Sequence, residues 1–317
     1  MFEIILESKV ILHLLKKIVV LFLIIILTIN IYATGESGAQ FLKMGIGARA
    51  TAMGRAFTGI SNDATAVYWN PAGISQINNF NMSAMQHFWL LDMNYQNLSA
   101  VLPTEYGSFG VSISNSSSGE IPKYENFERI GTYKANDMAL SFVYAKNIMS
   151  SISLGISGKY IQQTIDKEVA KGYAVDLGAY YNCKKIKGLQ LGAAIQNIGP
   201  DIKFIEEGDP LPLTFRAGLG YERGPILLAC DITRPRFNDL IVNLGTEVSP
   251  IEIVTHFISI GELKTLKDVL FLRTGYNRIN GGSIGIGIKW HDMGLDYAYN
   301  PFKDIDTGHV FSFNLGL

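Results

Sequence analysis

The chain has 317 residues, a formal net charge of −1 and 17% charged residues. A nucleic-acid partner is excluded because such binding demands a basic face, and a near-neutral chain has none to offer. The two cysteines, Cys183 and Cys230, are too few for a disulfide framework, so we expect both to be free.

Residues 1–33 have the pattern of a secretory signal peptide. A basic pair, Lys16–Lys17, precedes an apolar run from Ile18 to Ile29, and Ala33 supplies a small residue at the cleavage position. A transmembrane anchor is the alternative, but an anchor needs about 20 apolar residues and polar residues interrupt this run. We therefore expect residues 1–33 to be removed when the protein is exported.

Residues 34–78 are rich in glycine and alanine, carry little charge and show no strand-like alternation. Such a thin backbone can pack inside a larger structure at little steric cost, which predicts a helical or coil plug. Ser61, Asn62 and Asp63 can cap a short helical turn from Ala64 to Trp69. A proline ends that turn and holds the residue before it extended. Asp63 and the junction residues Asn70, Pro71, Ala72 and Gly73 are candidates for gating or ligand contact, with packing and capping as the alternative role.

From residue 79 to residue 317 the chain alternates between apolar and small residues. Between Ser283 and Trp290, for example, every second residue is isoleucine or tryptophan and the residues between are glycine, serine or lysine. The same period of two predicts fourteen strands, at 80–89, 94–102, 108–116, 136–146, 151–163, 172–182, 188–197, 213–222, 225–234, 240–248, 268–277, 282–290, 293–300 and 308–317. The predicted fold is therefore all-β, a 14-stranded antiparallel transmembrane β-barrel, because an even number of hairpin strands can close without leaving an edge in lipid.

Alternation alone does not say which face of the strands points outward. A soluble barrel carries apolar residues inside and many lysines and glutamates outside. Here the second face consists of glycine, serine, alanine and asparagine with about one charge per strand, which is too few for a surface in water. We expect the apolar face to contact membrane lipid and the small-residue face to surround the plug.

The charges within the strands all fall on the small-residue face. Neighbouring strands lie about 4.8 Å apart, so opposite charges on adjacent strands can pair inside the barrel. An internal ion-pair lattice is one interpretation, since buried charges must be paired, and a path for a ligand is the other. The residues are Lys159, Asp176, Arg216, Asp231, Glu247, Arg273, Lys289 and Asp296.

The connections between strands suggest an orientation. With the plug and the C-terminus on the periplasmic side, the long connections Ser117–Ala135 and Ile198–Pro212 face outside, as is usual for such barrels. One long connection, residues 249–267, would instead be periplasmic. A short helix is predicted there, at Glu262–Lys267.

The motifs of enzymes and cofactor proteins are absent or out of context. Gly45–Ala50 matches G-x-G-x-x-A, but no strand precedes it and no βαβ unit follows. The five histidines are scattered, without an HExxH or Cys/His cluster, so no metal site is predicted. We expect a protein that is not an enzyme, with no catalytic residues and no cofactor.

The run from Gly47 to Ser75, GARATAMGRAFTGISNDATAVYWNPAGIS, resembles the N-terminal signature of the PorV/PorQ family within the FadL superfamily of outer-membrane β-barrels. That signature places a DDA-type stretch before an NPAGL-type motif; here Asn62 replaces an acidic residue and Ile74 replaces leucine. The resemblance implies an outer-membrane protein that assists type IX secretion, with lipid, exported proteins and other secretion components as partners. FadL-type transport of hydrophobic small molecules, such as long-chain fatty acids, is the alternative, and a purely structural barrel is a third. The modest length of the outer loops favours the PorV/PorQ interpretation.

Overall fold

The structure, a computed structural model, describes residues 37–89, 92–257, 269–302 and 306–317. The predicted signal peptide and the predicted helix at Glu262–Lys267 lie outside these ranges. Within them, antiparallel strands form a wall around a segment of short helices and turns.

Every strand predicted from the alternation is present, with ends that differ by a few residues. The strands are β1 (Asn81–Phe88), β2 (Asn94–Thr104), β3 (Gly107–Ser117), β4 (Ile121–Glu125), β5 (Glu128–Tyr133), β6 (Ala135–Met149), β7 (Ile152–Ile165), β8 (Glu168–Asn182), β9 (Leu189–Ile198), β10 (Ile202–Lys203), β11 (Gly208–Asp209), β12 (Thr214–Arg223), β13 (Ile226–Pro235), β14 (Ile241–Val248), β15 (Leu270–Asn277), β16 (Gly281–Trp290), β17 (Met293–Phe302) and β18 (Asp306–Gly316). The sequence did not predict the β4–β5 hairpin or the short strands β10 and β11, which lie in the β3–β6 and β9–β12 connections.

The wall is a closed 14-stranded antiparallel barrel. Each wall strand pairs with the next along the chain, β1 pairs with β18, and the β8–β9 ladder completes the ring. Closure pairs the backbone of every wall strand on both sides, which is what allows strands to cross hydrocarbon. We call the end where β1 begins and β18 ends the turn end, and the opposite end, with the β3–β6 and β9–β12 connections, the loop end.

The apolar face points outward, as predicted. Leu98, Phe142 and Ile284 are 47%, 61% and 59% exposed, whereas the neighbouring serines on the same strands, Ser99, Ser141 and Ser283, are buried. A soluble protein does not expose an apolar surface that continues around the whole molecule. The outer surface is that of a barrel embedded in lipid.

The lumen holds the plug, which contains a 3₁₀ helix at Gln40–Lys43, helices α1 (Ala48–Ala52) and α2 (Ala66–Trp69), and a second 3₁₀ helix at Pro71–Gln76. Its large side chains, including Trp69, Phe57 and Met53, are fully buried, so the hydrophobic core lies inside the barrel.

The plug spans the height of the barrel. From the sequence we expect it at the end that holds the C-terminus, which is the turn end. It starts at the loop end, where the Gly38 amide donates to the Pro210 carbonyl at 3.0 Å. It reaches the turn end where the Ala64 amide donates to Asn81 at 2.8 Å. These contacts join the plug to distant parts of the chain, and strand periodicity does not reveal such pairings.

The turn-end connection between β14 and β15 begins with helix α3 (Pro250–Phe257), earlier than the predicted helix. Proline at the first position and Glu252 in the first turn both favour a helix start directly after the strand. Among the described residues, no helix has both the length and the apolar character needed to traverse a bilayer.

The outward face yields a test. Leu244 lies in the middle of β14 and is 46% exposed. In lipid, Leu244→Arg should destabilise the folded barrel by about 2–4 kcal/mol, because a cation near the bilayer midplane loses its hydration. Urea titration of folding into phosphatidylcholine vesicles measures this difference.

Phe127→Arg is the matched control, since Phe127 is fully exposed at the tip of the β4–β5 hairpin. That variant should fold like the wild type. Equal stability of the two variants would contradict the assignment of the apolar face to lipid.

Candidate functional site

The junction between plug and wall is centred on Asn70. Its backbone is extended, as the following proline predicts, and its side-chain oxygen accepts the Ala72 amide at 3.1 Å, which caps the second 3₁₀ helix. Its side-chain nitrogen donates to the Thr58 carbonyl at 3.2 Å and to the Ala179 carbonyl on β8 at 3.0 Å. One fully buried amide therefore joins two parts of the plug and one strand of the wall.

The wall leaves room for this amide by means of glycine. A Cβ on Gly178 would lie 2.3 Å from Asn70 Oδ1, and one on Gly192 would lie 2.0 Å from the Thr58 carbonyl oxygen. Neither clash involves the movable end of a long side chain. Pro71, Ala72 and Gly73 are buried, and their 3₁₀ helix packs mainly against β6, β7 and β8.

Asp63 caps the plug in a different way from the prediction. Helix α2 starts at Ala66, and no side chain caps it at the preceding residue. The Asp63 carboxylate instead accepts the amide and the hydroxyl of Thr65, at 2.9 and 2.5 Å. This local turn competes with helix geometry and delays the helix by two residues.

The strongest electrostatic contact between plug and wall is a cluster that we call the latch: Arg49, Glu247, Arg273 and Asp296. Arg49 lies on α1 and forms a two-pronged pair with the Glu247 carboxylate, with both N–O distances 2.8 Å. Arg273 donates to the same carboxylate at 2.5 Å and to Asp296 at 2.6 Å. The strand pattern predicts that the three wall residues face the lumen. It does not predict Arg49, because Arg49 lies in the plug and outside the strands.

Arg49 also contacts Asp63 at 3.3 Å, so the latch extends into the plug's second half. Burial alone would lower the pKa of Arg49, but Glu247 and then Asp63 outweigh that effect and hold the pKa above its ordinary value. The arginine is therefore charged at any pH at which the protein is folded.

The other predicted charges take separate partners. Lys159 pairs with Asp176 on the adjacent strand at 2.7 Å and donates to Asn197 at 2.8 Å. Arg216 and Asp231 are also on adjacent strands but do not pair. In the register of β12 and β13, Arg216 lies opposite Thr233 and Asp231 lies opposite Gly218. The two charged residues are therefore offset by two residues along the strands.

Asp231 and Arg216 face the plug instead. Asp231 accepts the amides of Phe57 and Thr58 at 3.0 and 2.7 Å, which anchors irregular plug backbone to the wall. Arg216 donates to Gln196 at 2.7 Å and lies 5.0 Å from the centre of the Trp69 ring. Lys289 is exposed and makes no ion pair with any described residue.

A cavity of about 630 Å³ opens at the turn end, beneath the latch. Its lining combines the latch residues with amide side chains such as Asn62, Gln76 and Asn81. Within the described ranges, no group of three or more histidine, cysteine, aspartate or glutamate side chains is placed to hold a metal ion. The arrangement holds the plug in place and offers hydrogen-bonding groups at the mouth of the barrel.

Comparison with known proteins gives one family and several solved structures. The family model for the type IX secretion system protein PorV matches residues 32–224, more than half of the chain. No curated protein sequence matches. The crystal structure of the Pseudomonas putida toluene transporter TodX has a TM-score of 0.62 at 13% identity, covering 86% of this chain and 99% of that one. A Pseudomonas aeruginosa FadL homologue has a TM-score of 0.51 at 12% identity, covering 84% and 97%. These structures are similar in fold.

The latch yields a second prediction. Glu247→Gln leaves Arg49 and Arg273 sharing a neutral partner in a buried place, which should lower the free energy of unfolding by about 3 kcal/mol. Glu222→Gln is the control, because Glu222 lines the same cavity but is exposed. Chemical unfolding of the two purified variants compares them, and an equal loss in both would refute the latch.

The junction between plug and wall yields a third prediction. Asn70→Ala removes three hydrogen bonds and should loosen the plug by about 2 kcal/mol while the barrel still assembles. Hydrogen exchange of the Thr58 and Ala72 amides reports plug opening, and the heat-dependent gel mobility of the folded barrel reports assembly.

Asn79→Ala controls for this variant, since Asn79 is an exposed residue at the turn end between the plug and β1. It should leave exchange unchanged. If Asn70→Ala blocks assembly altogether, the residue is a folding determinant and has no role in plug movement.

Proposed function

The chain belongs to the family of the type IX secretion system protein PorV, and from this membership and its plugged barrel we propose that it assists protein secretion at the outer membrane without conducting cargo through its lumen. It is an outer-membrane β-barrel protein. We further propose that residues 1–33 serve as a cleaved signal for export.

The observation that carries the proposal is the filling of the lumen. The plug is anchored at Asn70, at the latch and at Asp231, and its large side chains are fully buried against the wall. A folded or extended exported protein has no passage through such a barrel. The protein must then act through its surfaces, as a partner of exported proteins or of other secretion components.

The wall also favours this function over transport of hydrophobic small molecules. β3 keeps an unbroken register with β2 on one side and with β6 on the other, so no gap toward lipid exists there. The inward face of these strands carries four buried serines, Ser99, Ser112, Ser114 and Ser141, among apolar residues such as Val101 and Val143. The hydroxyl groups make this part of the lumen less suited to an apolar substrate, since pockets for such substrates are mostly apolar.

The loop-end surface offers a contact for secreted proteins. The β4–β5 hairpin stands apart from the wall and is tied to it by an ion pair of Lys123 with Asp166. At its tip Tyr124 is 63% exposed and Phe127 is fully exposed. Exposed aromatic side chains of this kind are enriched where proteins bind each other.

The alternative function is transport of hydrophobic molecules, and TodX, one of the proteins of similar fold, is a toluene transporter. The similarity at 13% identity concerns the fold. It favours no substrate for this chain, because one barrel architecture serves many functions.

A deletion strain of the source organism separates the two functions. Loss of the gene should abolish the release of proteins that share a C-terminal sorting domain, measured by mass spectrometry of culture medium, and should leave uptake of labelled toluene and oleate unchanged. Complementation with Glu247→Gln plus Asn70→Ala, in which the plug is loosened, should restore secretion.

The transport alternative predicts the reverse pattern. Secretion would continue in the deletion strain, uptake would fall, and the loosened variant would take up substrate faster than the wild type. Phe127→Ala combined with Tyr124→Ala should reduce secretion at normal barrel abundance if the hairpin contacts exported proteins.

A further inference from the structure

The loop-end half of the lumen contains a cation that the latch and the junction do not use. Arg55 lies in the plug just after α1, with a backbone φ of 67°. Left-handed backbone at a residue with a side chain is strained, by about 1–2 kcal/mol, and such strain persists where surroundings impose it. The Arg55 amide donates to the Ala50 carbonyl at 2.8 Å, which fixes the backbone conformation at the end of α1.

Within the described residues the guanidinium of Arg55 makes no hydrogen bond and no ion pair. Burial is the main cause that lowers the pKa of Arg55; Tyr68 opposes it, the nearby cation Arg216 lowers the pKa further, and Tyr95 opposes it more weakly. The side chain is half-buried and carries five N–H donors.

Two guanidinium groups flank the Trp69 ring. A methyl group on Gly45 would lie 2.9 Å from this ring and 3.9 Å from Arg55 Nε, which places Arg55 beside the indole. The Arg216 Cζ atom lies 5.0 Å from the centre of the indole system and 5.9 Å from that of Tyr68. The two rings hold the Arg216 cation by cation–π contacts, and Arg55 lies close to the same indole.

A second, independent observation comes from the wall. His87 and Tyr95 lie directly opposite each other on β1 and β2, and both point inward with 3% and 1% exposure. The Nε2 atom of His87 is buried without a hydrogen-bond partner. One pleat nearer the turn end, the Met85 sulfur accepts the Gly47 amide at 3.0 Å, so His87 faces the plug's loop-end side, where Arg55 acts on it electrostatically.

We propose that Arg55, Arg216 and His87 form a binding site for a phosphate group in the loop-end half of the lumen. Guanidinium groups bind phosphate oxygens by paired, charge-assisted hydrogen bonds, and a tetrahedral group has enough oxygens for both cations and an imidazole N–H. The phosphate is either free inorganic phosphate or the head group of an amphiphile. The site goes beyond the role in secretion, because binding is a property of the purified barrel.

The test is calorimetric titration of the purified full chain in a non-ionic detergent. The probes are inorganic phosphate, octyl phosphate and octanol. Wild-type protein should bind at least one phosphate probe and should not bind octanol. Preference for inorganic phosphate assigns the site to the free anion, and preference for octyl phosphate assigns it to a head group.

Arg55→Asn is the decisive variant, because asparagine tolerates left-handed backbone and removes the charge without adding strain. It should unfold at the wild-type temperature or higher and bind the phosphate probe about tenfold more weakly or worse. Lys289→Gln, which removes one exposed cation elsewhere on the inward face, should bind like the wild type. His87→Gln should weaken binding less than Arg55→Asn.

Three results would overturn the proposal. They are absence of binding of both phosphate probes to the wild type, equal binding by Arg55→Asn and the wild type, or equal binding of octanol and octyl phosphate. A merely structural Arg55 would show itself as a lower unfolding temperature of Arg55→Asn with no phosphate-dependent heat in either protein.

Discussion

Closure of the backbone ladder is the constraint on which the structure depends. In hydrocarbon no water is present to satisfy an open strand edge, so β8 must pair with β9 for the wall to be stable. The register of that ladder shifts by one residue between Val175 and Leu177, and the polar groups freed there are taken up inside the barrel. The Asn197 amide donates to Asp176 at 2.7 Å, and Lys159 neutralises that carboxylate. The Lys159–Asp176 pair in the lumen thus stabilises the β8–β9 ladder at the irregularity where the barrel closes.

The same need to satisfy backbone groups explains why the inner face of the wall is polar. Many plug amides donate within the plug, but the plug has little regular structure and several of its amides find no partner there. Wall side chains supply the acceptors: Ser312 for the Ala48 amide, Asp231 for the Phe57 amide and Gln163 for the Ala39 amide. An apolar lumen would leave these groups buried and unpaired. The small polar residues that the sequence shows between the apolar ones are therefore the acceptors of the plug backbone as well as the space into which it fits.

The strands, the direction of their faces and the closed barrel could be predicted because they follow from a period of two and from the scarcity of charge. The junction could be predicted in part, since a proline fixes the backbone of Asn70 locally. What could not be predicted depends on register between distant strands. Arg216 and Asp231 alternate in sign along neighbouring strands, yet the ladder sets them one pleat apart and each finds a plug partner. Arg49 and Arg55 lie in a segment without periodicity, and no sequence signal distinguishes the arginine in the latch from the unpaired one.

Function in this architecture is decided by the lumen and the loops. A transporter of apolar molecules needs an open apolar route and a break in the wall, whereas here the plug fills the lumen and the β2–β3–β6 ladders are continuous. The latch adds an energetic argument. Because Arg49 pairs with the Glu247 carboxylate, opening the plug would break that ion pair and leave Arg49 without this partner, while Glu247 and Arg273 would stay together in the wall. A plug held in this way favours a barrel that stays closed and presents its outer surfaces to partners, which is the arrangement a secretion component requires.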